Sequence, residues 1–281
     1  MDENANRESA RSSQGTCSEQ NGKVHRLGPD RANVLDVLEQ SSRVHHFPVE
    51  KWIDVEKLAA FRRASKVRLS WVTLFSKAYA LASIEVAELR RFYIPFPWPR
   101  YFQSRYTVIS VAVNRQYQDR ERLFFGRLRW PEVRSLLQIQ QELDSYTNDP
   151  IEQVFRQQLL SSHLPRFIRR FGWWWRTNIQ PSERARRLGT GSLSVLAGQG
   201  VYNRRHPSPL TSSLSYGPIE DGRMWVTLQC DHRLVDGSAA AQALNRIEYY
   251  LHSVITDELE KLSQSNGIVG TDTLAKGPEA A

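Results

Sequence analysis

The sequence has few cysteines and no long apolar run. Only two of its 281 residues are cysteine, Cys17 in a polar segment and Cys230 in an apolar one. Their placement fits neither a disulfide framework nor a metal-binding spacing, so we expect a reducing, cytoplasmic setting and no bound metal. No stretch is long and apolar enough to span a bilayer, and the acidic, polar first residues do not resemble a signal peptide.

The length, composition and charge of the chain limit its structural class but do not identify its binding partner. The length allows one large domain or two small ones, and an apolar content of 40% supports a core. A formal net charge of +8 favours an anionic partner such as nucleotide phosphate, nucleic acid or a lipid surface. Residues 1–28 are polar with almost nothing to bury and are predicted to be disordered, and residues 263–281 are predicted to be a flexible tail.

A predicted strand, turn and helix between residues 224 and 251 carry the most informative side chains. Apolar and more polar residues alternate up to Cys230, as in a half-buried strand, and apolar residues recur at helical spacing from Ala240 onward. Between them, His232 and Asp236 lie on a turn, and Ser238 is predicted to cap the helix. A histidine at a strand end can be held in one orientation, as a general base requires. The alternative is a surface histidine beside a structural aspartate.

The string DHRLVDG at residues 231–237 resembles a known motif. It is similar to the HxxxDG motif of CoA-dependent acyltransferases, in the form DHRxxDG found in the catalytic domains of 2-oxo acid dehydrogenase (dihydrolipoamide) acyltransferases. Upstream, GTGSLSVLAG at residues 189–198 resembles the GTFTISNLG segment of that family, and TVISVAVN at residues 107–114 resembles its DISVAV strand. The resemblance implies an α/β fold of the chloramphenicol acetyltransferase type, a two-layer sandwich with a mixed sheet that assembles as a trimer. It also implies that residues 29–262 form the catalytic domain.

The same resemblance implies a role for each motif residue. His232 corresponds to the general base that takes the acceptor's proton, and Ser194 corresponds to the donor that stabilises the tetrahedral oxyanion. Asp236, followed by Gly237, is implied to hold the turn by pairing with an arginine of the opening helix, for which Arg31 is the best match. In such trimers the histidine and the serine can come from adjacent subunits. Direct attack between the two bound substrates needs no acyl-enzyme.

The segment from Leu164 to Gly189 is the least similar to that family. It has seven arginines against one acid and interleaves them with phenylalanines and tryptophans. This combination suits the phosphates and adenine of CoA, or a membrane interface. The alternative is an ordinary helix with buried tryptophans and solvated arginines. If the segment contacts substrate, the candidate residues are Arg169, Arg170, Trp174 and Arg176.

Two other segments carry structural predictions. A short helix beginning near Asp30 is expected to turn Val34, Leu35 and Leu38 inward. The stretch from Tyr93 to Phe102 contains three prolines and is predicted to be an aromatic loop that either covers the core or lines a pocket.

These features predict a free-standing CoA-dependent acyltransferase. Its substrates would be acyl-CoA and a small-molecule or lipid acceptor that the sequence does not identify. We expect no lipoyl domain in this chain, which makes lipoamide a doubtful acceptor. Two interpretations stay open beside it: a noncatalytic trimeric scaffold, and a protein that binds membrane or, less favoured, nucleic acid through the basic aromatic segment. A peripheral contact with the inner face of a membrane is compatible with catalysis if the acceptor is a lipid.

Overall fold

The computed structural model describes residues 24, 25 and 27–264. The predicted disordered segment 1–28 and the predicted tail 263–281 lie mostly outside these residues. The described helices and strands, in chain order, are α1 Pro29–Ser41, β1 His46–Asp54, α2 Glu56–Ala64, α3 Trp71–Glu85, β2 Arg91–Ile94, β3 Arg100–Gln103, β4 Val108–Tyr117, β5 Arg120–Arg129, α4 Leu136–Asn148, α5 Ile151–Val154, α6 Arg156–His163, α7 Arg166–Asn178, α8 Pro181–Leu188, β6 Gly191–Leu193, β7 Ser212–Glu220, β8 Arg223–Asp231, α9 Gly237–Tyr250 and α10 Thr256–Gln264.

A six-stranded mixed sheet organises the chain. Its strand order is β1-β8-β7-β6-β4-β5. The pairs β7–β6 and β6–β4 are parallel, whereas β1–β8, β8–β7 and β4–β5 are antiparallel. Strand β6 is short and central, and it carries the serine-rich segment to the middle of the sheet. Strand β8 leads directly into the turn that contains His232.

One face of the sheet packs against helices α3, α4 and α9. Helix α3 contributes a continuous apolar surface that includes Leu74, Phe75 and Ala78, and all three are fully buried. Its first turn is capped by Ser70, whose Oγ accepts a hydrogen bond from the Thr73 amide at 3.1 Å. The sheet contributes the alternate residues of its strands, such as Leu228 of β8. The sheet and these helices form the two layers of the predicted α/β sandwich, and they confirm the mixed sheet.

The opposite face of the sheet is rich in serine and is only partly covered. Residues Ser110, Ser192 and Ser194 lie on it with Phe125 and Arg127, and helices α1, α6 and α7 enclose a cavity above them. The basic aromatic segment therefore forms α7 and α8 and lies outside the two main layers. Sequence periodicity identifies such helices but not the face of the sheet that they cover.

The structure corrects three local predictions. The stretch from Tyr93 to Phe102 is not all loop, because β2 and β3 pair as an antiparallel hairpin and the prolines lie between the two strands. Ser238 does not cap α9, because Asp236 occupies the N-cap position and its side chain makes no capping hydrogen bond. Leu35 and Leu38 of α1 are exposed, since that helix buries Ala32 and Asp36 instead.

The strand β5 is absent from the sequence predictions. Its sequence, RERLFFGRLR, is dominated by arginine and breaks the usual alternation of apolar and polar residues. The register with β4 explains it, because Leu128 and Phe124 face the buried side while Phe125 and Arg127 face the cavity. Because the second face of β5 borders a cavity and not open water, apolar residues occur on both faces, and the alternation that marks a strand is lost.

Candidate active site

The turn after β8 presents the imidazole of His232 at the protein surface. The His232 amide donates a hydrogen bond to the His45 carbonyl at 3.1 Å, and the imidazole lies 4.7 Å from the Phe47 ring, centroid to centroid. The His232 side chain is nevertheless 63% exposed. Strand β1 therefore orients the ring from one side and leaves its other side open to a ligand or a second subunit.

An ion pair between the buried Asp231 carboxylate and the more exposed Arg233 guanidinium holds this turn in place. The guanidinium of Arg233 donates hydrogen bonds to both carboxylate oxygens of Asp231, from Nη2 to Oδ2 at 2.6 Å and from Nε to Oδ1 at 2.9 Å. The Asp231 carboxylate also accepts the Arg233 amide at 3.1 Å, and the guanidinium lies 4.3 Å from the centre of the Tyr93 ring. Bidentate geometry of this kind is the strongest form of arginine–carboxylate pairing. The residues on either side of His232 thus restrict the turn, an arrangement that sequence reasoning missed.

Asp236 and Arg31 do not meet within one chain. The Asp236 carboxylate is 86% exposed, and its Oδ1 lies 3.9 Å from His232 Nδ1. Within residues 27–264, no ion pair involves Arg31. A side chain added at Gly237 would meet no atom within 4 Å. The single chain therefore accounts for neither the predicted arginine partner of Asp236 nor a requirement for glycine after it.

Ser194 lies at the end of β6 with its hydroxyl in a defined orientation. Its amide donates to the Leu214 carbonyl at 3.1 Å, and its Oγ accepts a hydrogen bond from the Asn203 side-chain amide at 3.1 Å. None of the described residues accepts the hydroxyl proton of Ser194 in return. A serine that already accepts one hydrogen bond and keeps its own proton free can donate to a developing oxyanion.

A second histidine, which the sequence analysis did not single out, lies in the same cavity as Ser194. His206 Nε2 is hydrogen-bonded to Ser213 Oγ, and its Nδ1 lies 3.3 Å from the Gln229 side-chain nitrogen. Ser213 in turn accepts a hydrogen bond from Ser192 at 2.6 Å. Burial lowers the pKa of His206 to about 4, so its imidazole is neutral at pH 7. The residue sits in a stretch that reads as an irregular loop, and no motif marks it.

The cavity that contains Ser194 is here called the serine cavity. It has a volume of about 740 Å³ and lies between the open face of the sheet and helices α1, α6 and α7. This volume is within the range of small-molecule sites, which is about 300–1,000 Å³. Its walls are mainly apolar and include Leu123, Phe125, Ile168 and Trp173.

A separate cavity adjoins the His232 turn and is here called the turn cavity. Its volume is about 610 Å³, and its lining includes Tyr93, Arg170, Trp174 and Arg233. Arg233 follows His232 directly in the sequence, so this cavity lies beside the candidate base. Trp173 and Pro209 border both cavities.

The four candidate substrate-binding residues fall into different environments. Arg170 and Trp174 line the turn cavity, as a substrate contact requires. Arg169 is instead bound to the buried Asp36 carboxylate, with Nε to Oδ2 at 2.7 Å, which gives it a structural role that the sequence prediction did not include. Arg176 lines the serine cavity, and its Nε is buried without a hydrogen-bond partner.

The two central residues of the candidate site are not brought together within one chain. Ser194 lines the serine cavity, whereas His232 lines neither cavity and faces outward from the turn. A single chain therefore holds two halves of the predicted site, each preoriented by its own contacts.

Two searches of the described residues were negative. They contain no cluster of three or more histidine, cysteine, aspartate or glutamate side chains arranged to hold a metal ion. Among the same residues, no helix combines the length and apolar character needed to cross a bilayer.

Sequence comparison finds no relative for this chain. No family model matches it, and no curated protein sequence does so. The structure, in contrast, is similar to many solved structures.

Three of these structures cover most of the chain. The cubic core of the pyruvate dehydrogenase multienzyme complex superposes with a TM-score of 0.60 at 19% identity, over 84% of this chain and 94% of that one. The dihydrolipoamide acetyltransferase of Azotobacter vinelandii gives 0.58 at 19% identity, over 84% and 94%. A truncated catalytic core of the 2-oxoacid dehydrogenase multienzyme complex from Thermoplasma acidophilum gives 0.60 at 16% identity, over 83% and 99%. The chain therefore has the fold of the catalytic cores of 2-oxo acid dehydrogenase acyltransferases, which confirms at the level of the fold the resemblance seen in its motifs.

Proposed function

We propose that this protein is a CoA-dependent acyltransferase whose active site forms between adjacent subunits of a homotrimer. The observation that carries the proposal is that the chain preorients His232 and Ser194 separately, with His232 open at the surface and Ser194 in a cavity. The fold similarity supports it. In the Azotobacter vinelandii enzyme, the residues whose catalytic role was studied are a serine, a histidine and an asparagine four positions after the histidine. His232 and Asp236 have the same spacing.

The proposed reaction is direct acyl transfer from a thioester. His232 takes the proton of the acceptor's hydroxyl, thiol or amine as the acceptor attacks the thioester carbonyl. The Ser194 hydroxyl donates a hydrogen bond to the oxyanion that forms. The tetrahedral intermediate collapses by breaking the carbon–sulfur bond, and the CoA thiolate receives the proton from the imidazolium. The products are the acylated acceptor and free CoA.

The turn cavity is the proposed site for the anionic part of CoA. Arg170 and Arg43 line it and contact one carboxylate, Glu39, at 3.0 and 3.9 Å. Arg166 contacts the same carboxylate at 3.3 Å, and three cations on one acid leave positive charge for phosphate groups. Trp174 in the same wall offers a flat aromatic surface for the adenine.

The experiment that tests this function measures CoA release from mixed trimers. His232→Ala and Ser194→Ala chains, each with a different affinity tag, are coexpressed and purified through both tags, and free CoA is assayed with a panel of acyl-CoAs and thiol, alcohol and amine acceptors. Every trimer that carries both tags contains both kinds of chain, so about one in three of its interfaces joins an intact His232 to an intact Ser194. We therefore expect the purified mixed trimers to recover about a third of the wild-type rate, although each variant alone is nearly inactive.

Different failures of this experiment have different meanings. Mixed trimers as inactive as either variant, beside an active wild type, would contradict a site shared between subunits. A wild-type protein that releases no CoA with any pair and does not bind CoA would overturn the acyltransferase and favour the noncatalytic scaffold.

Contact with an anionic membrane surface is a second candidate function, favoured by the outer face of α7. Phe167 is 73% exposed and Trp175 is 40% exposed, and both lie on the same helix as Arg166 and Arg170. Exposed aromatic side chains beside arginines suit the headgroup level of a bilayer.

The membrane contact predicts a specific loss of binding. We expect wild-type protein to float with vesicles containing phosphatidylserine at low salt, and the double variant Phe167→Ala/Trp175→Ala to lose most of that binding because it removes the apolar anchor. Trp130→Ala serves as the matched control, since Trp130 is an exposed tryptophan outside α7. Equal flotation of the two variants would exclude α7 as the contact.

A further inference from the structure

The serine cavity contains more positive charge than its protein surroundings neutralise. Four arginines line it, Arg127, Arg169, Arg176 and Arg187, against a single carboxylate, Asp36. Asp36 is already held by Arg169 in a buried ion pair. Arg187 is paired with Glu183, with Nε to Oε2 at 3.0 Å.

Arg127 and Arg176 are left without an acidic partner. Neither side chain forms an ion pair or a hydrogen bond with any of the described residues 27–264, and the Nε of Arg176 is buried. Burial is the largest influence on both guanidinium groups and lowers their pKa, and Arg187 lowers the pKa of each further. In the other direction, Tyr146 raises the pKa of Arg127, and the carboxylates of Glu183 and Asp36 raise that of Arg176 without forming an ion pair with it. An unpaired buried charge is strongly unfavourable and is normally compensated by a counterion or a ligand.

Most of the remaining surface of the cavity is apolar, although Ser110, Ser192 and His206 also line it. Leu123, Phe125 and Ile168 line it, and the hydroxyl of Ser194 lies in the same cavity. Water alone would hydrate the two guanidinium groups but would make no favourable contact with these apolar walls. An occupant that satisfies both parts has an aliphatic body and one anionic head.

We propose that the serine cavity binds an aliphatic amphiphile with a single anionic head group, a carboxylate or a phosphate monoester, which Arg127 and Arg176 hold. Binding itself is independent of chemistry at His232. The further assignment of this amphiphile as the acyl acceptor, with its reacting atom at Ser194, rests on the proposed function.

The test is calorimetric titration of the full-length protein with decanoate, decyl phosphate and the uncharged 1-decanol. We expect at least one anion to bind about tenfold or more tightly than 1-decanol, because each charge-assisted hydrogen bond to a guanidinium contributes at this level. Affinity should rise about fourfold per added methylene from octanoate to decanoate, as burial of each methylene predicts. The tighter of the two anions identifies the head group.

Substitutions test whether the two arginines bind the anionic head group. Arg127→Gln/Arg176→Gln should abolish the preference for the anion, whereas Arg166→Gln, on the same helix as Arg176 but paired with Glu39 at the surface, should bind as wild type does. In the absence of ligand, the double variant should unfold at the same temperature as wild type or a higher one, because it removes two unpaired cations. If the double variant is at least as stable as wild type, its loss of binding cannot be attributed to unfolding.

Three results would overturn the proposal. They are equal affinity for the anions and 1-decanol, unchanged binding by the double variant, and a double variant that is less stable than wild type without ligand. His232→Ala should bind the amphiphile with unchanged affinity. If acyl transfer fails while binding persists, the proposed function is wrong and the binding site stands. If binding fails while acyl transfer persists, the amphiphile-binding site is wrong and the proposed function stands.

Discussion

Replacing His232 by alanine is expected to lower the rate of acyl transfer about a hundredfold or more, because general-base catalysis typically contributes a factor of about 10² to 10⁴. The effect should fall on turnover rather than on CoA binding, since the imidazole lines neither cavity in the single chain. The measurement is free CoA released per active site, at saturating acyl-CoA, with the acceptor that gives the highest wild-type rate. Circular dichroism and size-exclusion chromatography of the variant check that its fold and assembly are retained.

His163→Ala provides the matched control for this substitution. His163 is an exposed histidine at the last position of α6 and lies outside both cavities. We expect its removal to leave the rate unchanged. A His232→Ala protein that releases CoA at the wild-type rate would contradict the general-base mechanism and would leave the fold assignment unchanged.

Replacing Arg169 by alanine is expected to destabilise the protein by about 3–5 kcal/mol, because it leaves the Asp36 carboxylate buried without its cation. The Arg169 and Asp36 side chains are only 11% and 7% exposed, and two hydrogen bonds join them at 2.7 and 3.3 Å. This pair connects α7 to α1, two of the three helices that enclose the serine cavity. The measurement is the urea unfolding midpoint together with its slope, which separates a change in stability from a change in the unfolded state.

The neighbouring substitution Arg170→Ala is the control. Arg170 pairs with Glu39 at 3.0 Å, but its side chain is half exposed. Solvent-exposed ion pairs contribute only about 0–1 kcal/mol, so this variant should unfold close to wild type. Equal destabilisation by the two variants would show that Arg169 acts through general helix packing and not through its ion pair.

The motif around His232 was predictable because its chemistry is local. A strand, a histidine, a turn and a helix follow one another within a short stretch, and the alternation of apolar residues changes period at the turn. Strand β8 and helix α9 occur where these patterns predict them. The Asp231–Arg233 pair that holds the turn is equally local but was missed, since an aspartate two residues before an arginine has no distinctive signal.

The failures share a physical cause, which is that burial depends on partners distant in sequence. Helix α1 buries Asp36 rather than Leu35 because Arg169, 133 residues later, supplies a cation on that side. Strand β5 tolerates Arg127 because the face that carries it borders a cavity, whereas the opposite face packs in the core. Hydrophobic periodicity assumes that polar residues face water, and both cases break that assumption.

The sequence by itself located the His232 turn, because strand and helix periodicity is encoded locally, and the resemblance of its short motifs to a known family implied the class of fold and singled out Ser194. Only the tertiary structure decided which arginines are neutralised and which are not. Arg169, Arg170, Arg176 and Arg187 lie close together in sequence, yet their roles differ because the fold supplies three of them with a carboxylate in an ion pair and leaves Arg176 in the cavity wall without one. Electrostatic environment is a property of three-dimensional neighbours, and no composition or spacing within the segment specifies it.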